Sequence, residues 1–128
     1  MTEVKASVKN FRSTPRKTRL IADLVRGKSV LRAVSELKFV NKRAAKGVLN
    51  LIQSAIANAK EKSLKPEELF IKTIRVDDGK ALRRYRAGSH GRALPFKRRL
   101  SHINLVLAKK NEESSKKIKA DNKKENKK

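Results

Sequence analysis

Leu69-Phe70-Ile71-Lys72-Thr73-Ile74-Arg75-Val76 and, about thirty residues later, Ile103-Asn104-Leu105-Val106-Leu107 decide the fold of this chain. Both runs are rich in β-branched and large apolar residues, the composition of strands, and they follow Pro66, which closes a helical region. Between them lies DDGKALRRYRAGSHGRALPFKRRLSH, residues 77–102, with Gly88-Ser89-His90-Gly91 as a compact turn signal near its centre. Antiparallel pairing about that turn sets Gly88 opposite Gly91 and Asp77 opposite His102. At 3.3 Å per residue, arms of about ten residues reach roughly 30–35 Å. Most of this connection has no apolar face to bury, so it is expected to protrude.

Working towards the N-terminus, the pattern becomes helical. Asn41 opens the longest helix, with Ala45, Val48, Leu49, Ile52, Ala55, Ile56 and Ala59 on one stripe. Its small alanines predict close packing against something flat. Ser29 reads as the cap of a shorter helix that carries Val30, Ala33, Val34 and Leu37. Ser13-Thr14-Pro15 starts another, because proline at the first helical position sacrifices no hydrogen bond. Leu20, Ile21, Leu24 and Val25 form its expected stripe, and Gly27 its stop. At the very start, Val4, Ala6 and Val8 alternate with Lys5, Ser7 and Lys9, a period of two that predicts a strand with one buried face. Phe39 and Phe70 read as core.

Towards the C-terminus, residues 109–128 hold nine Lys, four acids and only Ile118 and Ala120 as apolar side chains. Such a segment has too little apolar surface to offset its ordering entropy, so it is expected to be a disordered basic tail. Residues 1–108 then form one domain.

Charge narrows the function. The 128 residues carry 35 Lys plus Arg against 12 Asp plus Glu, a net +23, and the sequence pI is about 11.0. So large an excess implies a polyanionic partner. Lys80 to His102 contains Lys80, Arg83, Arg84, Arg86, Arg92, Lys97, Arg98 and Arg99 and no acid. An ordinary solvated loop also carries charge. Here six of the eight are Arg, whose forked guanidinium suits phosphate, and Tyr85, Phe96 and glycines interleave them. A second cluster, Lys9, Arg12, Arg16, Lys17, Arg19, Arg26 and Lys28, surrounds the first helix with Asp23 as its only acid. Arg16 and Lys17 fall in that helix's first turn, and Lys42, Arg43 and Lys46 in the first turns of the third, where cations oppose the helix dipole. Phosphate bound at those helix starts would reverse the penalty.

Several classes drop out. Zero Cys removes disulfides, thiolate nucleophiles and Cys-based zinc sites, and two His leave little for metal binding, so no cofactor or metal is expected. No apolar run approaches the roughly 18 residues of a membrane span, and Met1 to Asn10 lacks the apolar core of a secretory signal. Asp77, His102 and Ser101 superficially supply acid, base and hydroxyl. Neighbours on a strand face opposite ways, however, so Ser101 and His102 do not meet, and a cross-strand Asp77–His102 ion pair at the sheet edge is the expected arrangement. No catalytic residue is assigned.

The residues also carry a resemblance. TPRKTRLIADLVRGKSV (Thr14 to Val30), SAIANA (Ser54 to Ala59), GRA (Gly91 to Ala93) and KRRLSHI (Lys97 to Ile103) closely resemble the universal family of large-subunit ribosomal protein twenty-two, in order and spacing over residues 3 to about 108. The resemblance implies an α+β fold, a three-stranded antiparallel sheet packed by three helices with a long protruding β-hairpin at about 77–102. Only the resemblance puts all three strands in one sheet. It further implies a cytoplasmic structural constituent of the large ribosomal subunit that binds ribosomal RNA beside neighbouring ribosomal proteins. The hairpin would line the nascent-peptide exit tunnel, with Gly88, Ser89, His90, Gly91, Arg92 and Ala93 at a tip near the nascent peptide and macrolides. This tip departs from the family's usual RPRARGRA, since Arg86 to Ala93 reads RAGSHGRA and lacks a Pro and two Arg. Leu94-Pro95-Phe96 likewise replaces a more polar stretch. No homo-oligomer is expected. The rival reading is a nucleoid-type DNA-binding protein, although no recognition helix or half-site pattern is evident.

Overall fold

The computed structural model describes residues 2–109. The elements run β1 (Glu3–Phe11), α1 (Pro15–Val25), α2 (Val30–Phe39), α3 (Arg43–Glu61), a 3-10 turn (Pro66–Glu68), β2 (Leu69–Ala87), a second 3-10 turn (Ser89–Gly91) and β3 (Ala93–Lys109). The strands form one antiparallel sheet in the order β1-β3-β2, so the architecture is α+β, with three helices and three strands among the described residues. The last strand is central, and its partners come from opposite ends of the domain.

Register explains why the strands hold together. Val4 and Ile71 both face Leu107, Ala6 and Ile74 both face Leu105, and Val8 and Val76 both face Ile103. These three cross-strand rows make the inner face, and the central Leu107, Leu105 and Ile103 are buried. Burying such side chains stabilises by ~1.5–3 kcal/mol each relative to leaving them exposed. α3 lies over β1 and α1 over β2, with α2 against α3. Ala44, Ala45, Ala55 and Ala59 are all buried on α3, which lets its backbone approach the sheet as their size predicts. Gly47 admits the Phe11 ring, which would lie only 2.3 Å from a Cβ placed there.

The edge of β2 is closed by α1 and the link that follows it. Gly27, with φ of +74°, ends the helix in the left-handed region and donates its N–H to the Ile71 carbonyl at 3.2 Å. The Ile71 N–H in turn donates to the Lys28 carbonyl at 2.9 Å. Further along, Arg26 donates to the Ile74 carbonyl at 3.2 Å, and Arg19 donates to the Val76 carbonyl at 3.2 Å and to the Asp78 carboxylate at 3.2 Å. Three successive outward carbonyls of an edge strand are thereby satisfied, and the edge is blocked to other strands.

Several expectations need correction. On α1 the buried positions are Pro15, Thr18, Ile21, Ala22 and Val25, so the stripe is rotated and Leu20 and Leu24 point outwards. Small Ala22 and Thr18 let α1 sit close to β2, and the Thr18 hydroxyl is satisfied by donating to the Thr14 carbonyl at 3.1 Å. α3 begins at Arg43 with Lys42, rather than Asn41, as its cap, and it buries Ala44 and Leu51 while Leu49 and Ile56 are half-buried. That wider arc follows from its position among β1, α1 and α2. Phe39 is not core: it is 88% exposed at the last position of α2, beyond the buried Leu37. Phe70 is half-buried. Lys109, read as the first tail residue, pairs with Leu69 as the end of β3, and its ammonium meets Glu68 at 2.8 Å. The remainder of the expected tail lies outside the described residues.

Candidate nucleic-acid interface

Two helix starts and the root of the long strand pair converge on one side of the domain. The strand pairing continues far past the helices, through Asp77↔His102 and Asp78↔Ser101 and on from Ala81↔Arg99 to Ala87↔Ala93. The register slips between Asp78 and Ala81, where a Cβ on Gly79 would lie 2.9 Å from the Leu100 carbonyl oxygen. Glycine permits this close backbone approach at a bulge. The slip carries through to the turn, so Gly88 faces Arg92 rather than the expected Gly91, and its N–H donates to the Arg92 carbonyl at 2.7 Å. Every residue from Ala81 to Ala87 is exposed.

Strand alternation sorts this arm into two faces. One holds Leu82, Arg84 and Arg86 with their partners Arg98, Phe96 and Leu94. The guanidinium carbons of Arg86 and Arg98 lie 5.4 and 5.2 Å from the centroid of the Phe96 ring, so a single aromatic ring orders two cations. The other face holds Arg83, Tyr85, Lys97, Arg99 and the small or apolar Ala81, Ala87, Ala93 and Pro95. The tip, Gly88 to Ala93, is exposed except for half-buried Gly88.

Where the arm leaves the domain, a groove of about 780 Å³ is lined by Arg12 and Lys17 around the start of α1, Lys42 and Arg43 at the start of α3, and Arg84, Lys97, Arg98 and Arg99 from the arm. Leu20, Ile21, Leu82 and Leu100 add apolar surface, and among the described residues no acid lines it. Among the described residues none of these eight cations forms an ion pair. Neither α1 nor α3 has an acidic residue in its first turn or a side-chain cap, so their first N–H groups add positive potential at the same place.

Six of the acids are engaged elsewhere. A hydrogen bond from Lys72, reinforced by its charge, holds the Glu3 carboxyl below the ordinary carboxylate range. Hydrogen bonds from Lys28 and then Arg32 do the same for Glu36, and one from Lys109 for Glu68. Asp23 pairs with Arg26, Asp77 with Arg75, and Asp78 with Arg19. All of these pairs are partly exposed, so each contributes little to stability.

The expected site residues therefore divide. Eight meet at the groove. Lys80, Arg83, Arg86 and Arg92 lie along the arm, while Lys9, Arg16 and Lys46 are exposed outside the groove lining. Arg19, Arg26 and Lys28 have internal partners that fasten the domain. Leu20 is expected from the sequence in the apolar stripe of α1 rather than in a groove, and Leu82 and Leu100 escape sequence reading although they stand out as isolated apolar residues within the basic run.

The acid, base and hydroxyl near the arm's root do not assemble. Asp77 and His102 are register partners, as expected, yet they form no ion pair, and β3 is central rather than an edge. Asp77 accepts from Arg75 at 3.2 Å and from the Asn104 amide at 3.1 Å, while His102 Nδ1 accepts the Asn10 N–H at 3.0 Å. Each side chain found a nearer donor, Asn10 being presented at the β1 irregularity with φ of +56°. Ser101 is buried, and its hydroxyl has no partner among the described residues.

The site thus belongs to a basic α+β domain with a projecting strand pair and a cation-lined groove. Comparison makes the class particular. The family described as ribosomal protein L22p/L17e matches residues 6–108. The large ribosomal subunit protein uL22 of Bdellovibrio bacteriovorus is 49% identical over 109 residues, covering 84% of this chain and 99% of the relative. Those of Leptospira biflexa and Mycoplasma mycoides are 46% and 44% identical, covering 84% and 83% of this chain and 94% and 96% of theirs. The chain belongs to this family of large-subunit ribosomal proteins, and it is not an enzyme.

Proposed function

We propose that the chain binds and stabilises large-subunit ribosomal RNA, with the groove and the arm as its contact surface and the arm's tip in the wall of the nascent-peptide exit tunnel. The observation that carries the first part is the groove: eight cations from three separate chain segments, with no acid or ion pair among the described residues, continuous with an acid-free arm. Like charges so gathered repel in the free protein, and phosphates on either side remove that repulsion. The arm's composition supports insertion into RNA, since extended backbone with small and cationic side chains packs closely against phosphates. In that setting the protein works in the cytoplasm, within the large ribosomal subunit, beside neighbouring ribosomal proteins. The tip then meets the emerging peptide, and it takes part in the environment of macrolides. With Ser89 and His90 in it, its surface is less positive than an arginine-rich one.

Binding of the full chain to transcribed large-subunit RNA, measured against salt, tests the reading. A log-log slope of several units is expected if about six to ten phosphates are neutralised. A slope near zero would overturn the electrostatic mechanism, and equal affinity for unrelated duplex DNA at matched salt would favour the nucleoid rival. For the tip, removal of Gly88 to Arg92 should leave ribosomes assembled while altering macrolide susceptibility or nascent-chain arrest. Electron cryo-microscopy of those ribosomes should show extra space beside the tunnel, and a tip on the outer surface would refute its placement.

A further inference from the structure

The groove at the root of the arm has two properties that phosphate neutralisation does not call for. Its floor is apolar yet open to water: Leu20 is 69% exposed and Leu82 37% exposed, and Leu100 lies beside them. A phosphate backbone gains nothing from such leucines, whereas a flat apolar body laid over them removes their surface from water. Its volume, about 780 Å³, is also far larger than a phosphate requires and falls in the range of organic-ligand sites. Cations rim this floor, and Ser13 and Thr14 contribute hydroxyls at one end; the Thr14 hydroxyl makes no capping bond to its own helix. The fitting occupant therefore has an anionic group, a planar apolar face and polar edges.

We propose that this groove receives one unpaired nucleotide of the large-subunit RNA, turned out of its stack, with its base over Leu20 and Leu82 and its phosphate held by Lys17, Arg43 and Arg98. The inference rests on the RNA-binding reading and gives it a specific subsite. Splayed-out single-stranded nucleotides are the usual targets where proteins read RNA by more than shape. An acidic protein segment without aromatic residues would meet the charge but offers no planar face to the leucines. The site also links domain to arm, since Leu20, Lys17 and Arg43 come from the helices while Leu82 and Arg98 come from the strands. One bound nucleotide would thus fix the arm's exit angle.

The test uses the full chain with labelled leucine methyls and a single-stranded RNA tetranucleotide. The Leu20 and Leu82 methyl resonances should shift on titration, and a tetranucleotide of equal charge with an abasic central position should shift them far less. In parallel, L20S combined with L82S should weaken binding to large-subunit RNA about tenfold without changing the salt slope, because the base loses its apolar platform while every cation stays in place. Both leucines are exposed, and thermal melting should confirm an intact fold; L20S alone serves if the double variant melts early. Equal shifts with the abasic strand, or unchanged affinity in the variants, would overturn the nucleotide subsite while leaving RNA binding intact. Equal shifts with a hexaglutamate peptide would overturn it in favour of an acidic protein segment. An unaltered chain that lacks salt-dependent RNA binding would sink the underlying reading and this inference with it.

Discussion

On the helix side of Gly79, β2 and β3 alternate buried and exposed positions; beyond it, Ala81 to Ala87 are all exposed and their β3 partners are exposed but for half-buried Phe96. The backbone pairing is uninterrupted from Ala81 to Ala87, and on the helix side it shifts register once, between Ile71 and Thr73. What differs is the side-chain support. Leu105 sits between Ala6 and Ile74 under the helices, whereas Leu94, opposite Arg86 and against Gly88, is largely in solvent. Charge divides at the same point, with Asp77 and Asp78 just before the slip and no acid from Lys80 to His102. One half is therefore held by its own core. The other has the hydrogen bonds of a strand pair but no second layer, and an isolated two-stranded pair is marginal in water; the RNA contact proposed above would supply the missing layer.

Truncating a side chain in each half tests that contrast with the largest expected effect. Leu105, 1% exposed, lies in the core rows, and Leu105→Ala should cost ~2–5 kcal/mol through diminished burial and an unfilled cavity. Leu94, 54% exposed, should cost no more than ~0.5 kcal/mol on the same change. Urea denaturation of the free protein measures both. Similar costs at the two positions would mean that the arm folds back on the domain in solution.

Charge should reverse the ranking. Changing Arg84, Arg98 and Arg99 together to Gln should lower the salt slope of RNA binding by about 0.7–0.9 for each phosphate left without its cation, and weaken binding accordingly. Stability of the free protein should hardly move, or should rise slightly as repulsion falls. The matched control is Lys72→Gln with Arg75→Gln in the core half, where both cations already meet acids. An unchanged slope is expected there. Equal reductions in the two sets would show that binding follows total charge rather than the arm and groove.

How much of this was legible depends on the range of the interaction involved. The β2 and β3 runs declare themselves because a buried strand needs apolar residues in sequence, and Gly88 to Gly91 declares the turn because a reversal needs local freedom. The one-residue slip does not. It arises where Gly79 passes 2.9 Å from the Leu100 carbonyl oxygen, if a Cβ is imagined on it, a relation between chain segments with no local signature. On α1, apolar periodicity selected Leu20 and Leu24, but the sheet accepted the smaller Thr18 and Ala22 instead. Close approach outweighed hydrophobicity. The basic residues at the groove were each visible as charge. Their meeting was not, since it requires α1, α3 and the arm's root to be placed by the core.

Gly79 itself offers a more local test of the boundary. Gly79→Val should force the β2 backbone away from Leu100, a misfit of the kind that costs ~1–3 kcal/mol. Because the strain lies at the arm's root, it should be relieved by opening pairs on the arm side. Hydrogen exchange of the amides from Ala81 to Ala87 should accelerate while that of Ile103 to Leu107 stays near wild type. Uniform acceleration would show that the two halves form one cooperative unit.

The smallest effect should come from acid, and it should belong to the domain alone. Glu3, Glu36 and Glu68 have carboxyls held below their ordinary value of 4.5, chiefly by hydrogen bonds from Lys72, Lys28 and Lys109. A carboxyl whose folded pKa is depressed stabilises the fold fully above its unfolded pKa and loses that contribution as pH falls through the folded value. Melting temperature should therefore decline modestly from about pH 5 downwards, and the triple change of Glu3, Glu36 and Glu68 to Gln should flatten part of the decline. Added salt should flatten it as well, because the pairs are partly exposed and screened. The arm has no carboxylate to protonate, so exchange rates from Ala81 to Ala87 in the free protein, corrected for intrinsic chemistry, should not follow the same curve. An acid-dependent loosening that starts in the arm would mean that its pairing leans on the domain's ion pairs, and the division at Gly79 would fail.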